Sequence, residues 1–260
     1  MTQATPSPQA RPGVPTATST VSDALAQVIL SEMSPGDSLP SEGSLAERFS
    51  VSRLTVREAI KMLAGRGLLD VGRGRRAVVI EPTGVAFSDF LFTVIQRDPK
   101  GLFDLIELRL SLEVQSATLA AKRVTRAGLV AMEAAMQGMR EAAADYASGN
   151  DVEAAELRFH QHDVSFHETI ALSSGNRLVS YLFEAMTSPL RRTFHLSRRG
   201  HTARGGTLDD LIEAHLAILD AIREGNPKAA GTAMRAHLDS TESDIHAALN
   251  TGINGGSLNG

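Results

Sequence analysis

Apolar residues follow two regimes along the chain. Between residues 21 and 81, short amphipathic runs alternate with turn residues; beyond residue 86, apolar positions recur at the helical period with few breaks. In the first regime Val21, Leu25, Val28 and Ile29 share one stripe. That stripe predicts a helix to about Met33, capped by Ser22 and ended by Ser34-Pro35-Gly36-Asp37. Leu39-Pro40-Ser41 leads into a short helix over about 43–49, with Ser41 as its cap. After the tight turn Ser50-Val51, Ser52 caps a third helix running to about Ala64, with Leu54, Val56, Ile60 and Leu63 as its apolar contacts and Gly65 and Gly67 closing it. Leu69, Val71, Val78 and Ile80 then flank Gly72-Arg73-Gly74, the pattern of a short hairpin. Three helices followed by a hairpin predict a winged helix-turn-helix.

The second regime predicts seven helices, over about 86–97, 101–123, 125–147, 150–173, 176–199, 207–224 and 227–249. Their breaks are Asp98-Pro99, Thr125, Ser148-Gly149-Asn150, Ser173-Ser174-Gly175-Asn176, Gly205-Gly206 and Gly225-Asn226-Pro227. Gly225 suits a helix C-terminus and Pro227 the start of the next helix. The fold class expected is mainly α: a winged helix-turn-helix over 21–81, a linker over 82–85, and an all-α antiparallel bundle over 86–249. A disordered, Pro-, Ser- and Thr-rich tail is expected over 1–20 and a Gly- and Asn-rich flexible tail over 250–260.

Composition supports this division. Apolar residues are 42% of the chain and aromatics 4%, so the core must be built from Leu, Ala, Val, Ile and Met, which suits helices. The absence of cysteine excludes disulfides and thiolate metal sites and fits a reducing cytoplasm. No stretch approaches the ~18 apolar residues that span a bilayer. The net charge of −4 argues against a nucleic-acid partner until its distribution is considered. Residues 48–76 hold eight Lys and Arg against Glu58 and Asp70, whereas the chain from Pro82 onward has 17 basic and 22 acidic residues. A basic module joined to an acidic one implies a polyanion for the first alone.

The third helix carries the chemistry to meet that polyanion. Arg53 and Arg57 stand at i, i+4 and share a face beside Thr55, while Val56 and Ile60 point inward. Arginine at the start of such a helix can fork onto guanine, and Ser or Thr hydroxyls can reach phosphate. Arg73, Arg75 and Arg76 at the hairpin tip can enter a minor groove or follow phosphates. This segment resembles the GntR family of bacterial regulators. The matching motifs are Pro35-Gly36, Leu39 to Glu42, Leu45 to Phe49, Ser52 to Ala59 and Gly72 to Gly74. The resemblance implies DNA contacts at Ser52, Arg53, Thr55, Arg57, Arg73 and Gly74; the charge of Arg75 adds it to the set. The family commonly has an arginine after the Ser-Glu pair, and Gly43 stands here instead, which removes one expected contact.

Polar residues in the bundle fall at ligand-like spacings. Asp163 and His167 are i, i+4, and His215 and His237 sit beside apolar positions on two later helices. Three His and a carboxylate from three helices can converge on a divalent cation such as Zn²⁺, Mn²⁺ or Ni²⁺. His160 could share their face and is a rival ligand, while His162, His195, His201 and His246 have no partner at a telling spacing. The bundle is similar to the FCD-type effector domain of the FadR subfamily. Arg109 and Glu113, Asp163 and His167 followed by Ser174-Gly175-Asn176, His215 before Ile218 to Ile222, and His237-Leu238 carry that likeness. It implies Asp163, His167, His215 and His237 as metal ligands. Arg109, with Glu113, then becomes the anchor for a small carboxylate effector. The expected protein is a homodimeric, cytoplasmic, ligand-responsive DNA-binding regulator, a repressor, and not an enzyme. Two other readings use the same residues: a structural metal without an effector, and a metal-dependent hydrolase with an appended DNA-binding domain. The second lacks a separate general base at a defined spacing.

Overall fold

A computed structural model describes residues 15–97, 100–149 and 151–255. Most of the Pro-rich N-terminal tail, the Asp98-Pro99 break, Asn150 and the last five residues lie outside them. The chain divides into two compact units, Met1–Thr83 and Gly84–Gly260.

The first unit packs α1 (Ala17–Glu32), α2 (Glu42–Phe49) and α3 (Arg53–Gly65) against a two-stranded hairpin of β1 (Leu69–Asp70) and β2 (Val78–Val79). α1 begins earlier than the apolar stripe predicts. Thr16, not Ser22, caps it by accepting from the Ser19 amide, and Ser22 is buried within the helix. Ser41 and Ser52 cap α2 and α3 as their spacing predicts, accepting from the amides of Ser44 and Thr55. Such caps satisfy amides that the helix itself leaves unbonded. Ser50, at φ +53°, turns the chain between α2 and α3.

The hairpin is antiparallel, pairing Leu69 with Val79 and Asp70 with Val78. Leu69, Ala77 and Val79 are buried, so the inward residue on the second strand is Val79 rather than Val78 or Ile80. Backbone bonds from Gly36 to Val79, Leu39 to Ala77 and Val79 to Asp37 tie the segment before α2 onto the hairpin. The core joins Val21, Leu25 and Ile29 of α1 to Leu45 of α2 and Val56, Ala59, Ile60 and Leu63 of α3. Fully burying each such Val, Leu or Ile contributes about 1.5–3 kcal/mol.

The second unit comprises α4 (Val85–Arg97), α5 (Gly101–Arg123), α6 (Arg126–Ser148), α7 (Val152–Ser173), α8 (Arg177–Ala203), α9 (Leu208–Arg223) and α10 (Pro227–Gly255). These follow the seven predicted segments closely, except that α10 continues through residues expected to be a flexible tail. Gly84, expected in the linker, is buried and donates its amide to Glu184 on α8. The main core is rich in Ala and Met: Met132, Met136 and Met139 of α6 meet Phe159, Phe166 and Ile170 of α7. Small residues set the closest crossings, since a Cβ on Gly200 would overlap the Asp244 carbonyl of α10. That packing brings α5, α7, α8, α9 and α10 around one cavity lined by both polar and apolar side chains.

Candidate nucleic-acid interface and metal centre

In the first unit, the expected DNA-reading residues lie at the N-terminus of α3 and the hairpin tip. The Ser52 hydroxyl meets the Thr55 hydroxyl at 2.8 Å while capping the helix, so both side chains are held at its positive end. Arg53, exposed, lies against Gly43: a Cβ there would sit 3.3 Å from its Nη2. The space vacated by the missing residue-43 side chain thus accommodates the Arg53 guanidinium.

Arg57 donates two hydrogen bonds to Glu42, Nε to Oε1 at 3.0 Å and Nη2 to Oε2 at 2.7 Å. The Arg57 fork holds the Glu42 carboxyl below its ordinary range. Both partners are solvent-exposed, so the pair is weak and a phosphate can compete for the fork. At the wing, Gly74 takes φ +74°, a conformation that side chains disfavour, and Arg75 pairs with Asp70. Arg73 and Arg76 are exposed at the tip. Leu54 departs from expectation: it is 63% exposed instead of packing inward.

In the second unit, Asp163 and His167 of α7, His215 of α9 and His237 of α10 each offer one ligand atom, all within 4.8 Å of one another. The three histidines are buried and Asp163 is partly so. His215 Nε2 lies 2.8 Å from Asp163 Oδ1 and 3.2 Å from His167 Nε2. Neighbouring groups decide where the protons sit. The Leu211 carbonyl can only accept, so His215 donates to it through Nδ1, at 2.7 Å, and its Nε2 keeps a lone pair. Behind His167, Glu113 brings Oε2 to 2.5 Å from Nδ1, an ion-pair contact that favours the proton on that nitrogen. Two imidazole lone pairs and a carboxylate therefore point at one another, an arrangement that a cation relieves and that neutral packing does not.

Electrostatics agree with that geometry. Burial pushes His237 well below its ordinary value, and nearby His215 and His167 add to the shift, so it stays neutral and able to ligate. Burial opposes ionisation of Asp163, but the close approach of His215, with His167 and His237 around it, outweighs that cost and holds the carboxyl well below the usual range. Glu113, also opposed by burial, is lowered to about 2 by Arg109 and His167. A donor set of three imidazoles and one carboxylate, with carboxylate and carbonyl partners behind it, fits a borderline divalent ion.

Arg109 donates through Nε to Glu113 Oε1 at 2.5 Å and lines the cavity beside the ligand set. Glu113 does not line it. The cavity, about 50 Å³, has room for an ion and a few waters.

The two units correspond to two known domains. The model for "Bacterial regulatory proteins, gntR family" matches residues 17–79, and the model for the FCD domain matches residues 104–240. The chain belongs to the GntR family, in its FadR-like, FCD-bearing subfamily. This GntR-type regulator is 32% identical to the HTH-type transcriptional regulator LutR of Bacillus subtilis, across 81% of this chain and 92% of that one. It is 28% identical to the Glc operon transcriptional activator of Escherichia coli over 81% of each chain. A solved structure of a Streptococcus agalactiae GntR superposes with a TM-score of 0.67 at 33% identity, covering 87% of this chain and 99% of that one. These relatives are DNA-binding regulators, and the regulator is a transcription factor rather than an enzyme.

Sequence spacing missed several residues of the bundle. Phe159, Leu190, Phe194, Ser197 and Thr241 line the cavity without any polar periodicity to announce them. His160, the rival ligand, stacks on Phe194 at 4.1 Å between ring centroids and keeps Nδ1 4.0 Å from Asp163 Oδ2. His201 has a partner after all: its Nδ1 lies 3.1 Å from Asp244 Oδ2, and Nε2 2.9 Å from the Thr207 carbonyl. Those residues are 43 positions apart in the chain, beyond any local pattern. Among the described residues no helix is long and apolar enough to cross a membrane.

Proposed function

We propose that this regulator is a repressor controlled by a small carboxylate that binds beside a divalent metal in the bundle. Asp163, His167, His215 and His237 hold the ion, Zn²⁺, Mn²⁺ or Ni²⁺, which when bound offers an effector oxygen a Lewis-acid partner. The observation that carries this reading is the convergence of four ligand atoms, with lone pairs directed at one another. Arg109 pairs with the effector carboxylate, and Glu113 acts by holding Arg109 and His167. By its donor chemistry a metal beside a guanidinium suits sugar acids, hydroxy acids and dicarboxylates, and not a long acyl chain. Among relatives, the Galactonate operon transcriptional repressor of Escherichia coli, 29% identical, bears the name of one sugar acid and supports the repressor sign.

DNA reading is assigned to Ser52, Arg53, Thr55, Arg57, Arg73, Gly74 and Arg75. Two half-sites require two recognition helices, so the working form is a homodimer. Phe87, Phe90 and Val94 leave an exposed apolar stripe on α4 of the kind that a second protomer covers. The effector acts by preferring one spacing of the two DNA heads, and its differential affinity sets the size of the response.

Native mass spectrometry of protein purified from its host tests metal and oligomer together, and operator binding measured against a panel of acids tests the effector. One ion per protomer and an acid that weakens operator binding are expected. Metal-free protein, or no response to any acid in the panel, overturns the reading. A second reading, a purely structural metal, is favoured by the Arg109–Glu113 pair, which occupies part of the guanidinium. Arg109→Ala separates them: it abolishes the acid response in the first and leaves regulation intact in the second.

A further inference from the structure

Leu54 is the second residue of α3, between Arg53 and Thr55, and it is 63% exposed. A single exposed leucine on a protein surface is ordinary. This one differs in where it points. At about 100° per residue, Arg53, Arg57 and Leu54 span roughly 100° of the helix circumference. Val56, Ala59, Ile60 and Leu63, all buried, centre almost opposite Leu54. The side chain therefore projects away from the core of its own unit, from the helix end that carries Ser52, Arg53 and Thr55. Its neighbours are polar or charged, and neither cap nor core uses it.

We infer that Leu54 is a specificity-determining residue that reads the C5-methyl group of a thymine. Base edges in the major groove present hydrogen-bonding groups almost everywhere; the thymine methyl is the apolar feature there, and apolar side chains contact it. Because Leu54 follows Arg53 directly, the thymine lies within about one base step of the guanine that Arg53 forks onto. Phosphates can neutralise the arginines around Leu54, which seats the leucine without burying an unpaired charge. The half-site preferred by this chain thus contains a thymine at a position that a polar residue at 54 would not select.

The experiment uses the full-length protein. Preferred sites are selected from randomised duplexes for the wild type and for Leu54→Ala, and each thymine of the selected site is then replaced by uracil, which lacks only the methyl group. A single uracil in one half-site is expected to weaken wild-type binding about three- to five-fold, the value of roughly one buried methyl. The same replacement leaves Leu54→Ala binding unchanged, and the variant's selected sites lose the thymine at that position. An exposed site makes the variant's fold safe, and a thermal melt matching the wild type checks it. Absence of any uracil penalty in the wild type, or a penalty of equal size in Leu54→Ala, overturns the inference.

Discussion

Glu113 shows how much a single buried carboxylate decides in the bundle. It is 2% exposed and bridges Arg109 to His167. Replacing it with Gln keeps the shape but weakens the pull on the His167 Nδ1 proton. Partners behind a metal-ligating histidine typically contribute ~10–100-fold in affinity. Glu113→Gln is therefore expected to lower metal affinity by about that factor, as read by chelator competition, with the helical signal unchanged. Its titration has a matching signature. With the folded pKa lowered from 4.5 to about 2, the stability it contributes is complete above about pH 4.5 and is lost as pH falls toward 2. Urea midpoints measured from about pH 5 to about pH 3 should fall more steeply for the wild type than for Glu113→Gln. Gly43 invites a second test. Alanine there meets the flexible end of Arg53, which can give way, so Gly43→Ala should change operator affinity by less than about three-fold. A long residue such as arginine occupies the place of that guanidinium and should change which bases are preferred, as read by site selection. The Arg53 position against Gly43 was not legible in the sequence, where Gly43 signalled only a missing contact. The Glu113–His167 ion pair was hidden too, because it joins residues 54 positions apart on different helices.

Helices were the most legible feature of this chain, and their ends the least. Ser41 and Ser52 were readable as caps because each directly precedes an apolar period and follows a turn. The same logic applied to Ser22 failed, since Thr16 caps α1 a turn and a half earlier and Ser22 is covered by packing. Leu54 failed for a related reason. Apolar type and helical spacing cannot distinguish a side chain that serves the core from one that serves a partner, and only its exposure separates it from Val56 and Leu63. α3 consequently has two faces with separable energetics. Ser52→Ala removes the cap and should destabilise the head by about 1 kcal/mol, visible in thermal unfolding, and should weaken binding to every DNA sequence alike. Arg53→Ala should leave the melt unchanged but cost ~1–3 kcal/mol on the operator and relax one base position. Equal loss on random and operator DNA would reduce Arg53 to a phosphate contact.

At the scale of the whole molecule, the division of labour was written in charge: a basic first module for a polyanion and an acidic bundle for something else. What the bundle holds depends on convergence, which spacing can suggest but only packing can produce. Asp163 and His167 come from one helix, but His215 and His237 reach them because α5 packs against α7, α9 and α10 and brings those helices to one place. An ion bound there ties three helices and, through Glu113, α5 as well, so its removal should be felt by the bundle and not by the DNA head. Binding to the folded state alone stabilises by roughly 2.7 kcal/mol at a hundred-fold excess over Kd. For a unit of this size that corresponds to a shift of roughly 5–10 °C. Calorimetry with and without a chelator should therefore lower one unfolding transition by about that amount and leave the other in place. His215→Ala, which loses the ion at the outset, should unfold at the lower temperature and ignore the chelator. The two units have separate cores, which is why two transitions are expected; a chelator that shifted both equally would mean that the metal stabilises the head as strongly as the bundle that holds it.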